Sequence, residues 1–310
     1  MKLLGMQTVP GQALDCALPV PGYQPLEAVL LCGEQPGKTL VVTAGVHGCE
    51  YIGILAAQRL RRALDLHRLR GQIILLPLLN PGGFYGAMRQ VMPEDGKNLN
   101  REFPGRMDGT YAQRVAAVIE REVYPAADFL IDLHSGDWQE ALTPLVFFPC
   151  AAGDRIAQAT RAAADALSVP LRVRSTAKDG LYSWAAQTGI PSLLLERGCR
   201  AVWSESEVEA TLDDLYRLMA HLGMIDHAIL RVGQTEIRHA VYEQAPRKGF
   251  WYPQVTEGAP VRTSQCLGYL TDAAGRLLQE YRAAFDGVVL YYTVTLGVQA
   301  GDPLIAYGAG

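Results

Sequence analysis

The chain has 310 residues, 49% apolar and 19% charged, which suits one or two globular domains and excludes a disordered or collagen-like chain. Lys and Arg number 28 against 32 Asp and Glu, a net charge of −4, so there is no basic excess to grip nucleic acid. No apolar run approaches the ~20 residues of a bilayer crossing, and residues 1–11, with one lysine and no long apolar stretch, do not read as a secretory leader.

Residues 1–38 are rich in Gly and Pro, with a strand expected at Leu26–Leu31. Leu40–Ala44 reads as a buried strand, broken by Gly45–Gly48 and followed by a helix over Tyr51–Leu64 whose end carries Arg59, Arg61 and Arg62. Ile73–Leu79 is a second buried strand, stopped at Asn80-Pro81-Gly82-Gly83, and residues 84–110 show no periodicity, which in a compact domain points to function. Then follow a helix at Tyr111–Val123, strands at Phe129–Leu133 and Leu145–Phe148, and a helix at Asp154–Leu167. A strand at Ser192–Leu195 and a helix at Ser204–Leu222, opened by Ser204 and Glu207 in capping-box spacing, complete this part. The alternation predicts an α/β fold, a mainly parallel sheet with helices on both faces, over residues 1–225. After about residue 225, recurrent Gly turns and short β-type runs such as Val288–Val294 predict a small all-β domain, 226–310. Cys16, Cys32, Cys49, Cys150, Cys199 and Cys266 lack close spacing and read as reduced thiols of a cytoplasmic protein.

In parallel sheets ligands collect beyond the carboxyl ends of the strands. His47, Asn80, His134 and Glu196 all lie just past a predicted strand end. His47 and Glu50, three apart at a helix start, can turn toward one point, and His134 supplies a third, distant ligand; two imidazoles and a carboxylate suit catalytic zinc with one position open to water. The bland alternative for His47 and Glu50 is a helix cap and a solvated carboxylate. Glu196 is the best candidate for the general base, the alternative being a strand-end carboxylate paired with Arg197. In the irregular segment Asn100 and Arg101 offer an amide and a planar fork for a substrate carboxylate, and Arg89 could stabilise an oxyanion, unless these are loop arginines in solvent. His67, His221, His227 and His239 lack partner spacing, Cys49 is expected to point away from the metal, and Trp251 and Tyr252 are expected to pack between the domains. Asn80-Pro81-Gly82-Gly83 is no phosphate loop, because no Gly-Lys-Ser/Thr follows.

The ordered set His47-x-x-Glu50, Asn98-Leu99-Asn100-Arg101, Asp132-Leu133-His134-Ser135 and Leu195-Glu196-Arg197-Gly198 resembles the succinylglutamate desuccinylase/aspartoacylase family, a branch of the zinc carboxypeptidase-like M14 superfamily, over residues ~35–225. The resemblance implies a zinc carboxypeptidase-like fold, one zinc per chain on His47, Glu50 and His134, Glu196 as the base, and Asn100 and Arg101 as a carboxylate clamp, with Arg89 matching less securely. Zinc carboxypeptidases commonly carry Asp where this chain has Asn98, so the support behind a ligand imidazole loses its charge here. The family's substrate-facing tyrosine has no clear match; Tyr182 and Tyr292 are the candidates. The last part resembles the β-domain appended to this family, with turns like those of biotinyl/lipoyl folds, but the sole lysine beyond residue 225, Lys248, lies outside 284–292, so it is read as a cover over the cleft and not a swinging-arm carrier. The expected activity is zinc-dependent hydrolysis of the amide of a small N-acyl amino acid. A peptide-cleaving metallocarboxypeptidase and a non-catalytic zinc-binding protein are the alternatives, and assembly into a homo-oligomer stays open.

Overall fold

The computed structural model describes residues 2, 3 and 5–310, with side chains not described at 2, 3 and 6, so the reading of 1–11 as lacking a leader lies partly outside the described residues. Its frame is a sheet of nine strands among the described residues. Four lie at its centre and run parallel: Arg70–Leu76, Gln35–Ala44, Phe129–His134 and Ser192–Glu196. Each carries a short buried apolar run, Ile73–Leu76, Leu40–Val42, Phe129–Ile131 and Leu193–Leu195, because helices cover both faces, as parallel sheets require. Both flanks turn over. Leu145–Pro149 pairs antiparallel with Ser192–Glu196 and carries Leu171–Ser175 and Thr235–Ile237 in parallel beyond it. On the other side Leu26–Cys32 and Ala13–Leu18 form an antiparallel hairpin. The expected mainly parallel sheet therefore holds at the centre, and the whole sheet is mixed.

Alternate residues of the strands feed two cores. Val41, Ile74, Leu130 and Leu194 face the helices Tyr111–Val118 and Leu181–Gln187. Val42, Leu75, Ile131 and Leu193 face Tyr51–Ala63, Asp154–Ala164 and Glu205–His221. Each fully buried aliphatic side chain contributes about 2 kcal/mol of transfer free energy. The Tyr51–Ala63 helix sits unusually close to its strand: a Cβ on Gly53 would meet the Leu133 Cβ at 2.6 Å. That approach fixes the helix start against the end of the Phe129–His134 strand. No helix among the described residues is long and apolar enough to cross a membrane.

The chain after Thr235–Ile237 is built of strands among the described residues, in two small antiparallel sheets around Trp251, Leu270, Tyr281, Leu304 and Tyr307. Trp251 belongs inside this core: it is 1% exposed, donates from Nε1 to the Thr293 carbonyl at 3.0 Å, and packs edge-on to Tyr281, so it does not pack between domains. The two regions are interleaved. Thr235–Ile237 extends the large sheet, while Glu140–Leu142, from the first region, pairs with Gly287–Thr293 of the second.

Candidate metal centre

The side chains of His47, Glu50 and His134 converge. One ligand atom from each lies within 4.8 Å of the others, and all three residues are buried. His47 follows the Gln35–Ala44 strand on a turn pressed against the chain at Gly83; a Cβ on Gly48 would lie 2.1 Å from the Gly83 carbonyl carbon. Asn80 holds that turn, accepting from Gly83 N at 2.8 Å and donating to the Val46 and Val91 carbonyls. Asn80 is thus a brace, not a ligand. Glu50 is the N-cap residue of the Tyr51–Ala63 helix but makes no capping bond. Its carboxylate instead meets His47 Nδ1 at 2.6 Å and His134 Nδ1 at 2.8 Å, which sets aside the helix-cap reading.

Both imidazoles are oriented from behind. His134 Nε2 faces Asp132 Oδ2 at 2.9 Å, and Asp132 accepts from Thr43 Oγ1 at 2.6 Å. His47 Nε2 faces Asn98 Oδ1 at 3.1 Å, so an amide and not a carboxylate backs this ring. With an oxygen acceptor behind each ring, the Nε2 atoms carry the protons and both Nδ1 lone pairs are free to point inward. Two imidazole nitrogens and a carboxylate meeting at one buried point fit a divalent ion such as zinc. In the protein alone, protons must stand in for that charge. Burial opposes a charged His134, but the Asp132 and Glu50 carboxylates on either side hold its pKa well above the usual imidazole range. Burial likewise opposes a charged Glu50, and His47 and His134 bring it down to about 2.

Glu196 is the register partner of His134 on the adjacent parallel strand. Its Oε2 is buried with no hydrogen-bond partner among the described residues. The pairing with Arg197 considered from sequence does not form. Arg197 turns to the opposite side and binds Asp214 at 2.7 Å and Ser168 at 2.7 Å. Burial pushes the Glu196 carboxyl well above its usual range, with Glu50 and Glu140 adding to the rise and His134 opposing it.

The remaining candidates take these places. Arg89 is half-buried, bonded through Nε to Asp137 at 2.5 Å and through Nη1 to Gln139. Arg101 is exposed, anchored at Nη1 by the Asn100 carbonyl at 2.7 Å. Asn100 is buried, and its Oδ1 caps the Leu181–Gln187 helix through Leu181 N at 2.8 Å, so only its amide NH2 remains for a ligand. Cys49 Sγ donates to the Arg89 carbonyl, away from the cluster. His67, His221, His227 and His239 lie outside the cluster.

Three contributors were not read from the sequence. Asp132 shares a strand face with His134, as residues two apart do. Tyr291 sits where Glu140, Glu196 and Arg101 act on its hydroxyl, which burial first and those carboxylates next push well above the usual phenol range. Of the two tyrosines singled out from the sequence, Tyr182 donates to Ser175 Oγ at 2.6 Å, and Tyr292 bonds Arg200. The third is Glu140, a partly buried carboxylate between Asp137 and the C-terminal sheet.

Residues 36–222, more than half of the chain, match the succinylglutamate desuccinylase/aspartoacylase catalytic domain, and the chain belongs to that family. It is 29% identical over 280 residues to the N-alpha-acetyl-L-2,4-diaminobutyric acid deacetylase of Halomonas elongata, covering 86% of this chain and 81% of the relative. Among solved structures it resembles a succinylglutamate desuccinylase/aspartoacylase from Rhodobacter sphaeroides (TM-score 0.85, 26% identity, 96% and 95% of the two chains). It also shares the fold of the product-bound ectoine utilization protein EutE from Ruegeria pomeroyi (TM-score 0.88, 23% identity, 98% of each chain).

Proposed function

We propose that this member of the succinylglutamate desuccinylase/aspartoacylase family is a zinc-dependent deacylase that cleaves the amide of a small N-acyl amino acid. The observation that carries the reading is the convergence of His47 Nδ1, Glu50 and His134 Nδ1 beside the unpartnered carboxylate of Glu196. An ion held by those three residues supplies Lewis acidity, polarising a carbonyl and lowering the pKa of water to about 7. Glu196 takes the proton from the attacking water and delivers it to the leaving amine; a carboxyl raised toward neutrality suits that shuttle. Arg101 and the amide of Asn100 hold the substrate carboxylate. Arg89, fixed by Asp137 and Gln139, turns its remaining donors to the oxyanion. The Halomonas elongata relative supports an acetyl group and a diamino acid as the two halves of the substrate.

Residues 1–225 form the catalytic domain in this reading, and 226–310 an all-β domain over the cleft. Tyr291 on the Gly287–Thr293 strand, close enough to feel Glu196 and Arg101, supports a cover that limits substrate size and so favours a deacylase over a peptide-cleaving carboxypeptidase. The unpaired Glu196 favours an enzyme over a zinc carrier. Six free cysteines support a cytoplasmic setting. The test is a screen of N-acetyl, N-succinyl and N-formyl amino acids on zinc-loaded protein, repeated after chelation. Zinc-dependent release of acetate from a small amino acid is expected; no turnover of any of the set overturns the proposal.

A further inference from the structure

We infer that Arg197 is a positioning residue for Glu196: from the opposite side of the sheet it pins the strand end that carries the proposed base, so that the carboxylate is aimed by its backbone. The inference rests on the deacylase reading above.

Glu196 Oε2 is buried with no hydrogen-bond partner among the described residues. A donor bonded there would steady the carboxylate but occupy the oxygen that is to take the proton. Its aim is therefore left to the main chain, which is held just beyond it. Arg197 N–H donates to the His134 carbonyl at 3.2 Å and so carries the parallel ladder one step past Glu196. The Gly198 carbonyl accepts from Gly136 N at 2.9 Å. Gly198, at φ +78°, lies so near the Tyr51–Ala63 helix that a Cβ on it would meet Ile52 Cγ1 at 2.6 Å.

Successive residues of a strand point to opposite faces, so the side chain of Arg197 leaves the sheet away from Glu196. Its Nε donates to Asp214 Oδ2 at 2.7 Å and its Nη2 to Ser168 Oγ at 2.7 Å, with Glu207 at 3.7 Å from Nη1. Asp214, on the Glu205–His221 helix, is fixed in turn, its Oδ1 accepting from Ser168 N at 2.5 Å. A planar fork can engage oxygens on two segments at once, which a single ammonium cannot match. Apolar side chains often serve stability as well as a buried ion pair does. What the fork adds here is a fixed course for the chain at residue 196.

The experiment is a double-mutant cycle on zinc-loaded protein, run well below the melting temperature with the N-acyl amino acid that the screen identifies. Arg197→Lys keeps the charge and loses the fork. It should retain one zinc per chain and lower kcat by about tenfold to a hundredfold, with KM changed less than about twofold. In a Glu196→Gln background the same substitution should change kcat less than about twofold, because no base is left to misplace. Losses that multiply in the double variant, or a wild-type kcat in Arg197→Lys, overturn the inference. Should Arg197→Lys not fold, Ser168→Ala removes one arm of the anchor and goes through the same cycle, with a loss of about fivefold expected only where Glu196 is present. Crystal structures give a readout without turnover. In the variant the Glu196 carboxylate should move by about 1 Å while His47, Glu50 and His134 stay in place, and an unmoved Glu196 overturns the inference. If the wild type cleaves no amide, the deacylase reading fails, and the place of the Glu196 carboxylate alone decides whether Arg197 aims it.

Discussion

Glu196 and His134 are register partners on neighbouring parallel strands, so a carboxylate with a buried, unpartnered oxygen stands beside a candidate ligand imidazole. Strand pairing, not loop flexibility, sets the spacing between proposed base and proposed metal. Replacing Glu196 by Gln should therefore leave one zinc per chain and lower kcat about 10²–10⁴-fold. Metal analysis and steady-state kinetics on the same preparation check this; a variant that keeps its rate removes Glu196 from the mechanism.

His47 is backed by an amide, Asn98, where His134 is backed by a carboxylate. Asn98→Asp should strengthen zinc binding by about tenfold, because a charged acceptor makes the imidazole a better ligand. Competition against a chromogenic chelator measures it, and weaker binding would refute the assigned role of this contact.

Arg197 and Asp214 form an ion pair 8% and 0% exposed, far from water on the helix side of the sheet. Removing one partner strands the other. Asp214→Ala should cost about 3–5 kcal/mol and lower Tm by roughly 6–10 °C. Zinc content at low temperature should be normal. An unshifted melting curve would show that the pair does not hold the strand end.

Glu140 binds its proton more tightly folded, with a pKa of about 8 against the ordinary 4.5. A raised folded pKa means stability that is full at low pH and declines as pH climbs from about 4.5 through 8. In metal-free protein, Glu140→Gln should thus gain on the wild type in denaturant midpoint at pH 8 and lose that advantage at pH 4.5. Parallel curves at both pH values would contradict the placement of this carboxylate away from water.

Cys49 is buried, and that burial raises its thiol to about 11. Iodoacetamide at pH 8 should leave it unmodified in the native protein and label it after denaturation, read by peptide mass. Labelling of native protein would mean that the turn between His47 and Glu50 opens in solution.

Much of this was legible in the sequence because the central strands are buried on both faces and so carry short apolar runs. Their ends placed His47, His134 and Glu196 together before any contact was known. What escaped had no local signal. The strand Leu171–Ser175, next to the sheet edge and with two arginines among five residues, and the short Leu181–Gln187 helix do not stand out. Because that helix was unread, its capping by Asn100 was too. Tyr291 and Glu140 meet only through pairing between segments about 150 residues apart, which periodicity does not report.

The stitching of Glu140–Leu142 into the sheet that carries Tyr291 has an evolutionary reading. A mutation that loosens this seam shifts Glu140 and Tyr291 together. A chimera grafting the tail of a relative would have to re-form this pairing with a foreign edge. Changes on one edge of that seam are therefore expected to be matched by changes on the other.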